Sequence, residues 1–257
     1  MYHFLMPADG LDPLKIESHF RDQASALEEI GYATTIVEDG VFKGRDRIRR
    51  LPSDVMIVYR GWMVTPTAYR RFETAVNDAG RSLLVNAEAY ELTHHLPNWY
   101  PFVKEFTPET VWITNVEELA KKVDELNWNG YFLKDYVKSL KVAGGSIVRS
   151  AEDCERWVRE FLYYRDEFEG GLCIRRLEEF KAESERRFFV LNGKAHGPDH
   201  ENPPDPVQVA ADRITSPFFT VDVALSTSGD WRIVELGDGQ VSDLVGWSAQ
   251  RFAEIWK

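Results

Sequence analysis

Residues 54–61 (DVMIVYRG) form an almost continuous apolar run. A half-buried strand alternates polar and apolar side chains, and this run does not. It therefore reads as a strand covered on both faces, the habit of parallel sheets. Residues 2–6 (YHFLM), 33–38 (ATTIVE) and 82–86 (SLLVN) read as its neighbours. Between them, residues 18–30 and 66–79 carry helical periodicity and are stopped by Gly31 and Gly80. Strand–helix alternation of this kind predicts a small parallel sheet with covering helices.

The pattern changes after a proline- and aromatic-rich passage, residues 93–108 (THHLPNWYPFVKEFTP). TVWI is a short strand, Asn115 is expected to cap a helix over 116–126, and Asn129-Gly130 to turn the chain. YFLKDYV reads as a strand leading into the basic, glycine-bearing loop VKSLKVAGGSIV. Ser150 with Asp153 forms a capping-box-like start to a helix reaching about Phe168. Strands then dominate: GLCIRRL, RRFFVLNGKAHG, FFTVDVAL and WRIVELG, before an amphipathic helix over 245–256. GPDHENPPDP (197–206) reads as a loop. The second half is therefore α+β with an antiparallel sheet.

Four charged features in that half resist a packing explanation. Lys134 stands in an apolar strand, with Lys138, Lys141 and Gly144-Gly145 in the loop that follows. Backbone N–H groups of a Gly-rich loop and nearby ammonium groups can cradle phosphates, although such a loop can equally be solvated. Arg175 and Arg176 end a strand and precede Glu178 and Glu179; alternation sends the two arginines to opposite faces, so one at most enters a shared cleft. Arg187 begins the run FFVL and is of the type that grips carboxylate or phosphate in bidentate fashion. Asp222 and Glu235 lie in neighbouring apolar runs, with Asp238 close behind. Two such carboxylates repel unless a cation or basic group lies between them, so they either hold magnesium or pair separately with arginines.

Other chemistries find little support. His196 and His200 have helical metal-pair spacing, but Gly197-Pro198 intervenes, and His94-His95 beside Pro97 reads as a helix end. Cys154 and Cys173 are too few for a disulfide framework, which points to a reducing cytoplasm. No G-x-S-x-G, Walker-type loop or H-E-x-x-H occurs. A net charge of −11 argues against a broad nucleic-acid or anionic-membrane surface. No apolar run approaches the roughly 20 residues that span a bilayer, and the N-terminus lacks signal-peptide character.

In order, the chain presents FLKD, a Gly loop, IRRLEEF, ERRFFVLNGK, FTVDVAL and IVELGDG. That order resembles the ATP-grasp superfamily over roughly residues 80–257. The resemblance implies an α/β plus α+β architecture: a small N-terminal pre-ATP-grasp αβ domain over 1–90 and an ATP-grasp domain over 91–257. The latter would comprise subdomains of about 110–170 and 171–257. It further implies that Lys134, Lys138, Lys141 and Gly144-Gly145 hold ATP phosphates and that Glu178 and Glu179 meet the adenosine. Arg187 would face the transferring phosphoryl group with Arg175, and Arg60 would bind a substrate carboxylate. Asp222 and Glu235 would hold Mg2+. The family's closing E-x-N is Glu235-Leu236-Gly237 here, followed by Asp238. Either Asp238 takes over by a one-residue shift or metal binding is weaker. The implied activity is an ATP-dependent ligation of a small-molecule or peptide carboxylate to an amine or thiol. A phosphotransferase and a non-catalytic nucleotide-binding protein are the alternatives.

Overall fold

The computed structural model describes residues 1–48, 51–137, 145–165 and 168–257. The first sheet has the order β2-β1-β3-β4, built from β1 (Tyr2–Pro7), β2 (Ala33–Val37), β3 (Met56–Tyr59) and β4 (Ser82–Leu83), all parallel. The connections carry α1 (Arg21–Glu29), α2 (Asp39–Phe42) and α3 (Pro66–Asp78). Thr65 caps α3 by accepting from the Ala68 N–H, and Pro66 starts the helix where its missing N–H costs nothing. SLLVN is a strand for only two residues, because the Asn86 side chain accepts from the Ala89 N–H and opens α4 (Ala87–His94).

The proline-rich passage is helical rather than irregular. α5 (Leu96–Val103) begins with Pro97 in its first turn, again where a missing donor is harmless. The second sheet, ordered β5-β8-β6-β7, is antiparallel, as expected. It comprises β5 (Thr110–Ile113), β6 (Tyr131–Asp135), β7 (Ile147–Val148) and β8 (Leu172–Arg176), with α6 (Leu119–Leu126) and α7 (Ala151–Arg165) between them in the chain. The Asn115 side chain accepts from the Glu117 N–H, capping the 3-10 turn that leads into α6. The left-handed residue ending α6 is Asn127, two positions before the expected Asn129-Gly130 turn.

RRFFVLNGKAHG is a hairpin: β9 (Arg186–Leu191) and β10 (Lys194–His196) pair across Asn192-Gly193, both at positive φ as a two-residue hairpin turn demands. The segment 197–206 is only partly a loop, since α8 (Asp205–Arg213) starts inside it with Pro206 in the first turn. β11 (Phe218–Leu225) and β12 (Trp231–Asp238) complete the third sheet, in the order β10-β9-β11-β12. The final helix, α9 (Ala249–Glu254), is shorter than 245–256, because Ser248 caps it through the Arg251 N–H.

The chain forms two compact units. One holds Met1–Thr93, Arg186–Val221 and Gly237–Lys257; the other holds His94–Glu185 and Asp222–Leu236. The C-terminal elements return to the first sheet, so Phe4, Phe189, Phe218, Phe252 and Trp256 share one core. The second unit has its own core of Leu119, Leu133, Trp157, Phe161 and Ile174 between its sheet and helices. Among the described residues, no helix is long and apolar enough to cross a membrane.

Candidate active site

Strand register decides which charges of the second unit leave its core. Lys134 stands opposite Cys173, and Arg175 opposite Phe132. Directly opposed residues share a face, and the face alternates along each strand. Lys134 and Arg175 therefore project from one face, while Tyr131, Leu133, Leu172 and Ile174 fill the core from the other.

On the polar face the Lys134 ammonium donates to Glu235 Oε1 at 2.5 Å. The lysine side chain is 5% exposed and the glutamate 40%. Arg175 is buried beside them. Its Nη1 donates to the Val234 carbonyl at 2.7 Å and its Nη2 to Thr107 Oγ1 at 2.7 Å, while the Thr107 hydroxyl donates to the Ile233 carbonyl at 2.8 Å. Burial pulls the Arg175 pKa down, and the Glu235 carboxylate opposes that shift. A second arginine, Arg232, grips Glu178 with two parallel bonds of 2.9 Å and donates to the carbonyls of Glu105 and Thr107. Asp222 is buried in β11, the neighbour of the strand that carries Glu235. Glu179 is exposed; its carbonyl accepts from the Thr227 N–H.

The arginine pair separates as alternation requires: Arg175 turns inward, and Arg176 lies exposed on Glu109 at 3.3 Å. Gly145 has a positive φ of +63° and open space where a Cβ would stand. Lys138, Lys141 and Gly144 lie outside the described residues.

Arg60, Arg187 and Asp238 belong to the other unit. Arg60 is almost wholly buried. It donates from Nε to Gln23 Oε1 at 2.7 Å and from Nη1 to the carbonyls of Gln240 and Gly239, and its guanidinium lies over the Phe252 ring. Burial brings its pKa down to about 9. Asp238 Oδ1 accepts from the Gln240 backbone and side-chain N–H groups, whereas the buried Oδ2 has no hydrogen-bond partner. Burial raises the Asp238 pKa to about 7, against the pull of Gln240 and Arg60. Gln240 also donates to the Tyr69 hydroxyl and accepts from the Tyr59 N–H, which ties the segment after β12 to the first sheet. Arg187 donates from Nη1 to the Asp243 carbonyl at 2.9 Å. Gln23, Thr107, Arg232 and Gln240 had no signal in the sequence, because each acts through partners more than 30 positions away.

Burial pushes the Cys154 and Cys173 thiols up to about 11 and about 12, so neither is poised as a thiolate. The donors present suit a hard cation: Asp222 and Glu235 offer carboxylate oxygens from adjacent strands, which is the ligand type magnesium takes.

Three sheets with this order and these strand charges define the ATP-grasp fold. Solved structures share it: D-cycloserine synthetase DcsG is 11% identical, with 100% of this chain and 98% of that one covered and a TM-score of 0.63. The macrocyclase MdnC from Microcystis aeruginosa MRC, bound with precursor peptide MdnA, is 12% identical over 99% of both chains, with a TM-score of 0.60. The ATP-grasp ligase PsnB, complexed with minimal precursor, Mg and ADP, is 11% identical over 98% of this chain and 95% of that one, with a TM-score of 0.59. No curated protein matches in sequence. A family profile described as an ATP-grasp domain matches residues 96–257, and the chain belongs to that ATP-grasp family.

Proposed function

We propose that the protein is an ATP- and Mg2+-dependent ligase that joins a carboxylate to an amine or thiol through an acyl-phosphate. The observation that carries this reading is the buried Lys134–Glu235 pair with Arg175 beside it. Two cations against one partly exposed carboxylate leave a local positive excess in a chain of net charge −11. Such an excess suits phosphate, and transfer chemistry of this kind depends on positioning and charge neutralisation more than on a protein nucleophile.

In this reading Glu235 and Asp222 hold the metal, and Lys134 is freed toward phosphate oxygens when Glu235 turns to the cation. Bound Mg2+ would bridge phosphate oxygens and offset their charge. Arg175, fixed by Thr107 and the Val234 carbonyl, keeps its charge at a set place beside Glu235. Lys138, Lys141, Gly144 and Gly145 are assigned to the phosphate loop. Glu178 and Glu179 are assigned to the adenosine, Arg187 to the transferring phosphoryl group and Arg60 to a substrate carboxylate. Asp238 is assigned to the metal in place of the missing asparagine, although its bonds to Gln240 equally support a role in anchoring the segment after β12. The substrate carboxylate attacks the γ-phosphorus and ADP leaves; the amine then attacks the acyl carbon, phosphate leaves, and the nitrogen loses a proton. MdnC, bound with a precursor peptide, supports a peptide as one class of substrate, and D-cycloserine synthetase supports a small molecule as another.

The test is mass spectrometry of tag-free protein with Mg-ATP and pools of peptides, carboxylates and amines. ADP together with a product whose mass equals the two substrates less one water is expected, and Lys134→Ala and Glu235→Ala should each abolish it with the fold intact. A product carrying an added phosphate identifies a phosphotransferase instead. Nucleotide binding without any turnover identifies a non-catalytic protein.

A further inference from the structure

His94 and His95 close α4 and open the turn before α5, and in the second unit their Nε2 atoms each lie 3.3 Å from the same oxygen, Glu169 Oε1. The ligand atoms of the three side chains lie within 4.8 Å of one another. We propose that His94, His95 and Glu169 form a binding site for a transition-metal dication of the zinc type. The site is separate from the magnesium carboxylates and does not depend on the ligase reading.

The spacing carries the argument. A charge-assisted N–H···O bond closes to roughly 2.7–2.9 Å, and both contacts here are longer. Around a tetrahedral zinc ion with bonds of about 2.0–2.1 Å, neighbouring ligand atoms stand about 3.3 Å apart, which is the separation seen for both histidine–carboxylate edges. Two imidazoles with one carboxylate favour zinc or its neighbours over magnesium or calcium, which take oxygen ligands. Three protein ligands would leave a fourth position to water or to a substrate group.

The site is also braced. His94 is buried and His95 nearly so. Tyr136 ties the two ligand segments together: its carbonyl accepts from the Leu96 N–H at 2.9 Å, and its N–H donates to the Glu169 carbonyl at 3.3 Å. Its ring meets His95 edge-on at 5.8 Å and covers Gly170 and Gly171, where a Cβ would strike it. Those glycines let the chain bring Glu169 under the ring. Ligands held by packed neighbours in this way need little ordering on metal binding.

The deciding experiment uses tag-free full-length protein, stripped with a chelator and titrated with Co2+ by visible absorption and with Zn2+ by calorimetry. One saturable equivalent is expected, with tetrahedral cobalt bands that zinc abolishes and millimolar Mg2+ does not. His95→Ala and Glu169→Gln should each weaken Zn2+ binding at least tenfold, with circular dichroism reporting the fold. If wild-type protein gives neither cobalt bands nor saturable zinc heat, or both variants bind as tightly as wild type, the proposal is overturned. The wild-type titration decides the matter even where a variant fails to fold.

Discussion

Removing Glu235 should cost the protein more than removing Lys134, although the two form one ion pair. The ammonium is 5% exposed and the carboxylate 40%, so their fates after loss of the partner differ. In Glu235→Ala the lysine keeps its charge in a pocket that water scarcely reaches, and Arg175 adds a second cation nearby. Breaking a fully buried pair from one side costs roughly 3–5 kcal/mol. Because this pair reaches solvent on its acidic side, about 2 kcal/mol is the expected loss. In Lys134→Met the stem is replaced by a side chain of similar shape, and the remaining carboxylate keeps both water and Arg175 as partners. There the loss should stay within about 1 kcal/mol, since replacing a buried charge with an apolar group of like volume is often neutral. At roughly 2–4 °C per kcal/mol for a chain approaching this size, thermal unfolding without nucleotide or added metal should separate the variants by several degrees. The double variant should resemble Lys134→Met, because removing both partners strands neither. Equal losses for the two single variants, or a larger loss for Lys134→Met, would refute the buried-ammonium argument.

Three further outcomes follow from the same structure. Asp238, whose folded pKa is raised to about 7 from 3.8, favours folding most below the unfolded value, and that contribution is lost as pH rises through about 7. Asp238→Asn should therefore lose part of the fall in melting temperature between pH 4 and pH 8, by no more than about 4 kcal/mol, and an unchanged difference between wild type and variant across that range would contradict the assignment. Gly171 has φ +153°, and a Cβ there would stand 2.5 Å from the Ile113 carbonyl, so Gly171→Ala should cost at least about 2 kcal/mol in urea unfolding. Arg175→Met strands Thr107 and the Val234 carbonyl while removing two charged hydrogen bonds, so a loss of about 2–3 kcal/mol is expected; a neutral result in the same assay would mean those bonds contribute little.

The fold was legible wherever short-range signals were decisive. Asn115 and Ser150 marked helix starts, and the uninterrupted apolar runs marked the strands of the first sheet. The strand positions of Lys134, Arg175, Asp222 and Glu235 also came from sequence, because a charge inside an apolar run is visible without coordinates. Two local signals were present but misread. Asn192-Gly193 is a hairpin turn inside what scans as one long strand, and Asp205-Pro206 opens a helix inside a loop-like segment. Prolines in the passage 93–108 suggested irregular chain, yet Pro97 falls in a first helical turn, where it does no harm. The long-range partners could not have been read in advance: nothing near Glu178 indicates Arg232, 54 positions away, and nothing near His94 indicates Glu169, 75 positions away.

The measurement that tests the central reading most directly is thermal unfolding of wild-type protein and Glu235→Ala, each with and without Mg-ATP. A ligand at about 100 times its dissociation constant stabilises the native state by roughly 2.7 kcal/mol, which corresponds to a shift of roughly 5–10 °C in a chain of this class. The account predicts such a shift in wild type, dependent on magnesium and absent from Glu235→Ala. No shift in wild type at millimolar Mg-ATP, or the same shift in both proteins, would contradict the placement of the metal nucleotide at Glu235.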